Sequence, residues 1–298
     1  MGGCIFATSG DALGAELCHR PSCQPTLLKI PRLTPDVIDD RLSSFWWIIC
    51  LAELEGNLIS GEVTPIAPVQ ADVWFWSLDQ DQGADHDAEN LISRDESERA
   101  DRFVKPIDRR RYIAGRAGLR RVLSTYLDCC PESLSFTYNE WGKPELSAVR
   151  RARPHFNLSH TAGRAMLGVC FEAPIGVDIE EIRPLQEDVA SHFFTARECA
   201  DLASLSEAEQ LEGFYRCWTR KEAFVKAHGA GLSLPLTSFD VSLEPEDSAS
   251  LLRRLDRDID VLDEWTLRNV NAGLGFCAAL AVKARGRDVV IRYRSSCD

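Results

Sequence analysis

Four stretches carry residues whose types and spacing suit phosphate chemistry. In Gly176-Val177-Asp178-Ile179-Glu180 the carboxylates stand two apart, and on a strand such residues share one face. Like charges there repel, so Asp178 and Glu180 either form a solvated polar face or share a hard cation such as Mg2+. Between Phe214 and Ala227, Trp218, Glu222 and Lys226 recur every four residues along one helix face. They are either a Glu–Lys surface pair, worth ~0.2–0.5 kcal/mol, or reactive groups with an indole beside them, which a surface pair does not need. Residues 102–121 hold eight Arg and Lys against Asp108 alone. Arginine forks match phosphate oxygens, though the same helix also reads as a solvated face paired with acidic neighbours. Last come Gly142-Lys143-Pro144, a turn with a cation at its tip, and His155-Phe156-Asn157-Leu158-Ser159-His160. Ser159 and His160 close a strand, as phosphate donors or as structural groups. No G-x-S-x-G elbow surrounds Ser159, and no Walker A loop, G-x-G-x-x-G or H-E-x-x-H is present. Serine hydrolysis, dinucleotide redox and zinc proteolysis therefore lack their motifs.

The elements that must position these groups follow from hydrophobic periodicity. Strands are expected over Asp72–Trp76, Leu134–Tyr138, Phe156–Leu158, Ala165–Phe171, Pro174–Ile182, Ser238–Leu243, Trp265–Val270 and Gly275–Val282. Helices are expected over Pro106–Leu127, Gln186–Phe193 and Ser206–Gly229, the last opened by a Ser206/Glu209 capping box and closed by glycines. Helices and strands thus occur twice over in sets of about 100 residues. Arg164–Phe171 and Gly275–Val282 are similar strands ending similar blocks, the mark of an internal duplication. The class is α+β (α/β).

Residues 1–69 differ from the rest. They hold six prolines, four cysteines and no clear period, and read as a loosely packed, poorly ordered extension in which Phe45–Ala52 could dock. That apolar run is far shorter than the roughly 20 residues a membrane span needs. The chain has 298 residues, 34 Lys and Arg, 46 Asp and Glu, and a net charge of −12. An acidic chain is a poor non-specific ligand of nucleic acid or anionic membrane, so any phosphate must meet a local basic patch. Eleven cysteines without a C-x-x-C pair, and no secretory leader, suggest reduced thiols in the cytoplasm.

Taken in order, Gly142-Lys143-Pro144, Phe156–His160, Gly176–Glu180 and the run Trp218–Leu232 resemble the 4′-phosphopantetheinyl transferases of the larger, surfactin-synthetase-activating type. The resemblance spans about residue 71 to about 285. It implies a pseudo-dimer of two similar subdomains, 70–172 and 173–298, with coenzyme A at their junction and no need of a second chain. The reaction implied moves the phosphopantetheine arm of coenzyme A to a serine of an apo acyl or peptidyl carrier protein, releasing adenosine 3′,5′-bisphosphate. By the same resemblance Asp178, Glu180 and Glu222 hold Mg2+, Glu222 is the candidate base, and Lys226 meets the leaving phosphate. Lys221 would hold the diphosphate. Arg111 would hold the 3′-phosphate, with Lys143, Ser159 and His160 around the nucleotide, although Arg102, Arg109 or Arg110 could take the place of Arg111. Where the family type often carries a second cation this chain has Glu96, and Arg99 could replace it. Two other activities use the same residues: a Mg2+-dependent phosphohydrolase, and a non-catalytic binder of coenzyme A or carrier.

Overall fold

The computed structural model describes residues 67–79, 87–140, 142–147, 153–185, 189–245, 251–256 and 259–295. Residues 1–66 of the expected 1–69 extension, with the Phe45–Ala52 run, lie outside them, as do Trp141 and residues 186–188 of an expected helix; Val69, placed in that extension from the sequence, is instead a buried residue that opens the first strand. All described residues belong to one compact unit, Thr64–Asp298.

That unit is built twice from one plan. In the first pass β1 (Val69–Ser77) leads through two short helices, α1 (Ala88–Leu91) and α2 (Arg94–Ala100), to the long helix α3 (Pro106–Leu127). A two-stranded sheet of β2 (Phe136–Tyr138) and β3 (Pro144–Leu146) follows, then the hairpin β4 (His155–Thr161) and β5 (Arg164–Cys170). In the second pass β6 (Ile175–Glu181) leads through α4 (Ala190–Phe193) and α5 (Ala196–Ser204) to the long helix α6 (Glu207–His228). A two-stranded sheet of β7 (Phe239–Val241) and β8 (Leu252–Leu255) comes next, then β9 (Thr266–Asn269) and β10 (Phe276–Val282). The sheet orders correspond: β1-β5-β4 and β6-β10-β9, with all these neighbours antiparallel. Both long helices have 22 residues. The duplication suggested by two similar strands is thus a duplication of topology. One strand breaks the symmetry: β11 (Val289–Arg294) returns from the C-terminus to pair parallel with β1.

Local signals account for the helix ends. α3 starts at Pro106, whose missing N–H is harmless in a first turn, and α6 starts at the Ser206/Glu209 capping box. Each long helix buries its apolar side on its own sheet: Leu119 and Leu123 meet Trp74, Phe156 and Leu167, whereas Ala223, Phe224 and Ala227 meet Leu267, Ala279 and Ala281. The opposite sheet faces close on each other through Val73, Met166, Val177, Ile179, Leu280 and Val282. The order is helix, sheet, sheet, helix, and it leaves β4 of the first half beside β6 of the second.

Candidate active site

Where β4 meets β6, side chains do the work of a backbone ladder. Asn157 Oδ1 accepts from the Val177 N–H at 2.8 Å, Ser159 Oγ from Ile179 at 3.4 Å, and Thr161 Oγ1 from Glu181 at 3.4 Å. The period of two on both strands sets Asp178 and Glu180 against the same β4 residues. Ser159 Oγ donates to Asp178 Oδ1 at 2.9 Å, and Thr161 Oγ1 donates to Glu180 Oε2 at 3.0 Å. Asn157 and Thr161 were not singled out as site residues from the sequence, although the Asn-x-Ser-x-Thr alternation was visible there.

Helix α6 supplies the other wall. Gly176 allows it to lie directly on β6, because a Cβ there would run into the Ala223 carbonyl and the backbone of Ala227. The close approach brings Lys226 Nζ to 2.6 Å from Asp178 Oδ1 and 3.2 Å from Ser159 Oγ. Lys226 therefore pairs across the two elements, with a carboxylate that is 3% exposed. Burial pushes the Glu222 carboxyl up, with Lys226 opposing and Asp178 adding to the effect. Burial, then the neighbouring Asp178 charge, pushes Glu180 up as well.

Asp178 Oδ2 is buried and has no hydrogen-bond partner among the described residues. An orphaned carboxylate oxygen between two carboxyls disfavoured by burial is a fitting position for a hard cation. Among the described residues no group of three or more His, Cys, Asp or Glu side chains is placed so as to hold a metal ion. The Asp178 charge is felt at both Glu180 and Glu222, and Lys226 holds the other Asp178 oxygen.

A cleft of about 820 Å3 opens at the junction of the halves. The first half lines it with Lys143, Pro144 and Asn157, and the second with Trp218, Glu222 and Lys226, so the i, i+4, i+8 face of α6 looks into one space. Its floor is largely apolar: Phe193 packs edge-on to Trp218 at 5.6 Å, with Val225, Leu234 and Pro235 nearby. Lys143 Nζ donates to the Lys226 carbonyl at 2.7 Å, and burial pushes its pKa down to about 8.

Lys221 corrects the sequence reading. It is 0% exposed, donates to the Leu236 and Phe239 carbonyls at 2.6 and 2.9 Å, and pairs with buried Glu198 at 2.8 Å. One residue around the helix from Glu222, it faces the core and ties down the loop after α6, so it is no diphosphate ligand. Ser159 is also buried, its hydroxyl committed to Asp178, so it orients the carboxylate and does not reach into solvent toward a nucleotide.

The arginine-rich helix α3 divides into two sets. Arg116 and Arg120 are buried and both bond Glu96, which also caps α2 through the Ser93 N–H. Glu96 thus joins α2 to α3, so its presence where the family type often carries a cation has a packing reason. Arg99 lies over the Tyr112 ring at 5.7 Å. Arg109 pairs with Glu89 and Asp101. Arg111 pairs with Asp79, beside the turn that follows the solvent-accessible His160. Arg109, Arg111, Arg116 and Arg120 are thereby matched by carboxylates, the last two inside the protein and not on the solvated face that the sequence suggested.

Comparison with known proteins agrees with this division into halves. The description "4′-phosphopantetheinyl transferase, N-terminal" matches residues 81–170, and "4′-phosphopantetheinyl transferase superfamily" matches residues 174–277. The two meet where β5 passes to β6. The 4′-phosphopantetheinyl transferase HetI of Nostoc sp. is 37% identical over 217 residues, which are 72% of this chain and 88% of HetI. The 4′-phosphopantetheinyl transferase Sfp of Bacillus subtilis is 36% identical over 162 residues, 54% of this chain and 71% of Sfp. AcpT of Salmonella typhimurium, another 4′-phosphopantetheinyl transferase, is 38% identical over 146 residues, 48% of this chain and 71% of AcpT. Both halves of the repeat are matched and most of each relative is covered: the chain belongs to the 4′-phosphopantetheinyl transferase superfamily.

Proposed function

We propose that this protein transfers the 4′-phosphopantetheine arm of coenzyme A to a serine hydroxyl of an apo carrier protein, with Mg2+ as cofactor. The observation that carries the reading is the Lys226–Asp178 pair, with its orphaned Asp178 oxygen, joined to a cleft shared by both halves through Lys226 and Glu222, which line it. Asp178, Glu180 and Glu222 are the residues that would hold the cation, which supplies charge neutralisation to the diphosphate when bound.

The remaining chemistry belongs to the chain. Arg111 and His160 bind the 3′-phosphate end, and Lys143 adds a cation at the junction. Lys226 stands where charge gathers on the leaving phosphate. The carrier serine oxygen bonds to the phosphorus next to the pantetheine, and the bond from that phosphorus to the bridging oxygen breaks. The leaving adenosine 3′,5′-bisphosphate keeps the electron pair. Glu222, with its proton affinity raised by burial, accepts the serine proton. The apolar floor at Phe193 and Trp218 receives the arm and excludes water from the reacting phosphorus.

Both walls of the cleft come from one chain, which supports a monomer. Cys129, Cys130, Cys170, Cys217 and Cys277 are free thiols, and no described helix is long and apolar enough to cross a membrane. These observations support a cytoplasmic enzyme, and the net acidity argues against nucleic-acid partners.

The test is incubation with coenzyme A, Mg2+ and a panel of apo carriers, read by intact-mass spectrometry. Transfer adds about 340 Da to a carrier, as a covalent serine modification must. Free phosphopantetheine with unmodified carrier would instead identify a phosphohydrolase. Binding without either product would identify a non-catalytic binder.

A further inference from the structure

We propose that Asp79 is a positioning residue for coenzyme A: it holds the Arg111 guanidinium so that its outer edge is presented to the 3′-phosphate. The inference rests on the assignment of Arg111 to that phosphate.

The carboxylate and guanidinium meet side-on. Asp79 Oδ1 accepts from Arg111 Nε at 2.7 Å and Oδ2 accepts from Nη2 at 2.6 Å. This fork uses one hydrogen on Nε and one on Nη2. Both Nη1 hydrogens and the outer hydrogen of Nη2 have no partner among the described residues, and that edge has the geometry with which arginine takes two phosphate oxygens. The side chains of Arg111 and Asp79 are 33% and 38% exposed, so a ligand can reach the pair without unfolding anything.

Asp79 is itself held in place. It follows β1, and the Leu78 N–H donates to the Gly163 carbonyl at 2.6 Å, pinning this end of the chain to the β4–β5 turn. Gly163 has φ +78°, and a Cβ on it would run into the Asp79 carboxylate, with Arg111 Nη2 3.3 Å away. The fork therefore sits in a notch that exists because residue 163 has no side chain. The same hairpin carries His160 at the end of β4, so one turn sets both groups assigned to the 3′-phosphate.

Two opposite effects follow from an aspartate here. Its charge repels an incoming phosphate, while its fork removes the rotamer freedom of a long side chain before the ligand arrives. The carboxylate lies on the Nε side, away from the free edge and shielded by the guanidinium. Orientation therefore outweighs repulsion.

The experiment measures KM and kcat of the full chain for coenzyme A and 3′-dephospho-coenzyme A. The variants are Asp79→Ala, Arg111→Ala and the double substitution, each checked for folding by thermal melt. Asp79→Ala should raise KM for coenzyme A about five- to twentyfold and leave kcat within about twofold, the pattern of lost uniform binding. Its KM for 3′-dephospho-coenzyme A should not move, and the double variant should be no worse than Arg111→Ala. Gly163→Ala should reproduce the KM shift by displacing the carboxylate. If Arg111→Ala loses discrimination between the two substrates while Asp79→Ala keeps or lowers KM, the positioning role is wrong and the Arg111 assignment stands. If Arg111→Ala still discriminates, both are overturned.

Discussion

Lys221 and Lys226 lie five residues apart on one helix and have opposite fates. Lys221 is enclosed by Glu198 and two carbonyls in the core, whereas Lys226 reaches the cleft and Asp178. Lys221→Met breaks a buried ion pair and should cost about 3–5 kcal/mol of stability, with kcat per folded molecule little changed. Lys226→Met should lower kcat about 10²–10³-fold, the usual effect of losing one preorganised charge at a reacting phosphate, with a smaller shift in Tm. Thermal melts and steady-state kinetics on both variants check the contrast, and a catalytic loss in Lys221→Met would return that residue to the site. Lys143 carries a pH signature. Its folded pKa of about 8 lies below the unfolded value of about 10.4. Its charged form therefore weakens the fold, and its contribution to stability improves as pH rises from about 8 toward 10.4. Function runs the other way, because the neutral amine cannot attract an anion. Then kcat/KM for an S-blocked coenzyme A should fall as pH passes about 8, and Lys143→Arg, which stays charged, should remove that limb.

At the scale of elements, the site depends on the joint between β4 and β6. Asn157→Ala removes the acceptor of the Val177 N–H inside the protein. An unsatisfied buried donor costs about 1–3 kcal/mol, so Tm should drop by roughly 2–12 °C at about 2–4 °C per kcal/mol. An unchanged melting curve would mean that the side-chain ladder does not hold the strands together. Several elements were legible in the residues. α3 occupies the expected Pro106–Leu127, and α6 starts behind its expected capping box. The helix Ala196–Ser204 is not among the expected elements, although Thr195 and Glu198 form another such box. The strand Val289–Arg294 was missed because one face of it is largely exposed and its apolar pattern is short.

For the whole molecule, β11 couples the chain's end to its first strand. Val289 pairs with Val69 and Ile291 with Ala71, while Arg292 Nε donates to buried Asp72 at 2.5 Å. Asp72 also accepts from Tyr126 of α3 at 2.5 Å, so strand, helix and C-terminal strand meet on one carboxylate. Deleting residues 289–298 should uncover the β1 edge and the apolar residues behind it. A loss of a few kcal/mol, or roughly 5–15 °C in Tm, is the expected result by calorimetry. A truncated chain that melts with the full one would make β11 an accessory. The subdomains were expected at 70–172 and 173–298, and β11, inside the second by those bounds, completes the sheet of the first.

What the residues alone determined was local or periodic. Apolar spacing marked the long helices and paired strands, glycines and caps marked their ends, and the phosphate-chemistry motifs kept their order along the chain. Which polar side chain faces the cleft was decided by tertiary structure. Glu222 and Lys221 are adjacent in sequence, and a helix turns consecutive residues by about 100°, so packing on β6 sends one to the cleft and the other to the core. Likewise, composition showed eight cations near residues 102–121 but not their partners. Glu96, Glu89, Asp101 and Asp79 come from other elements, and only the folded chain brings those carboxylates within hydrogen-bonding distance of their arginines.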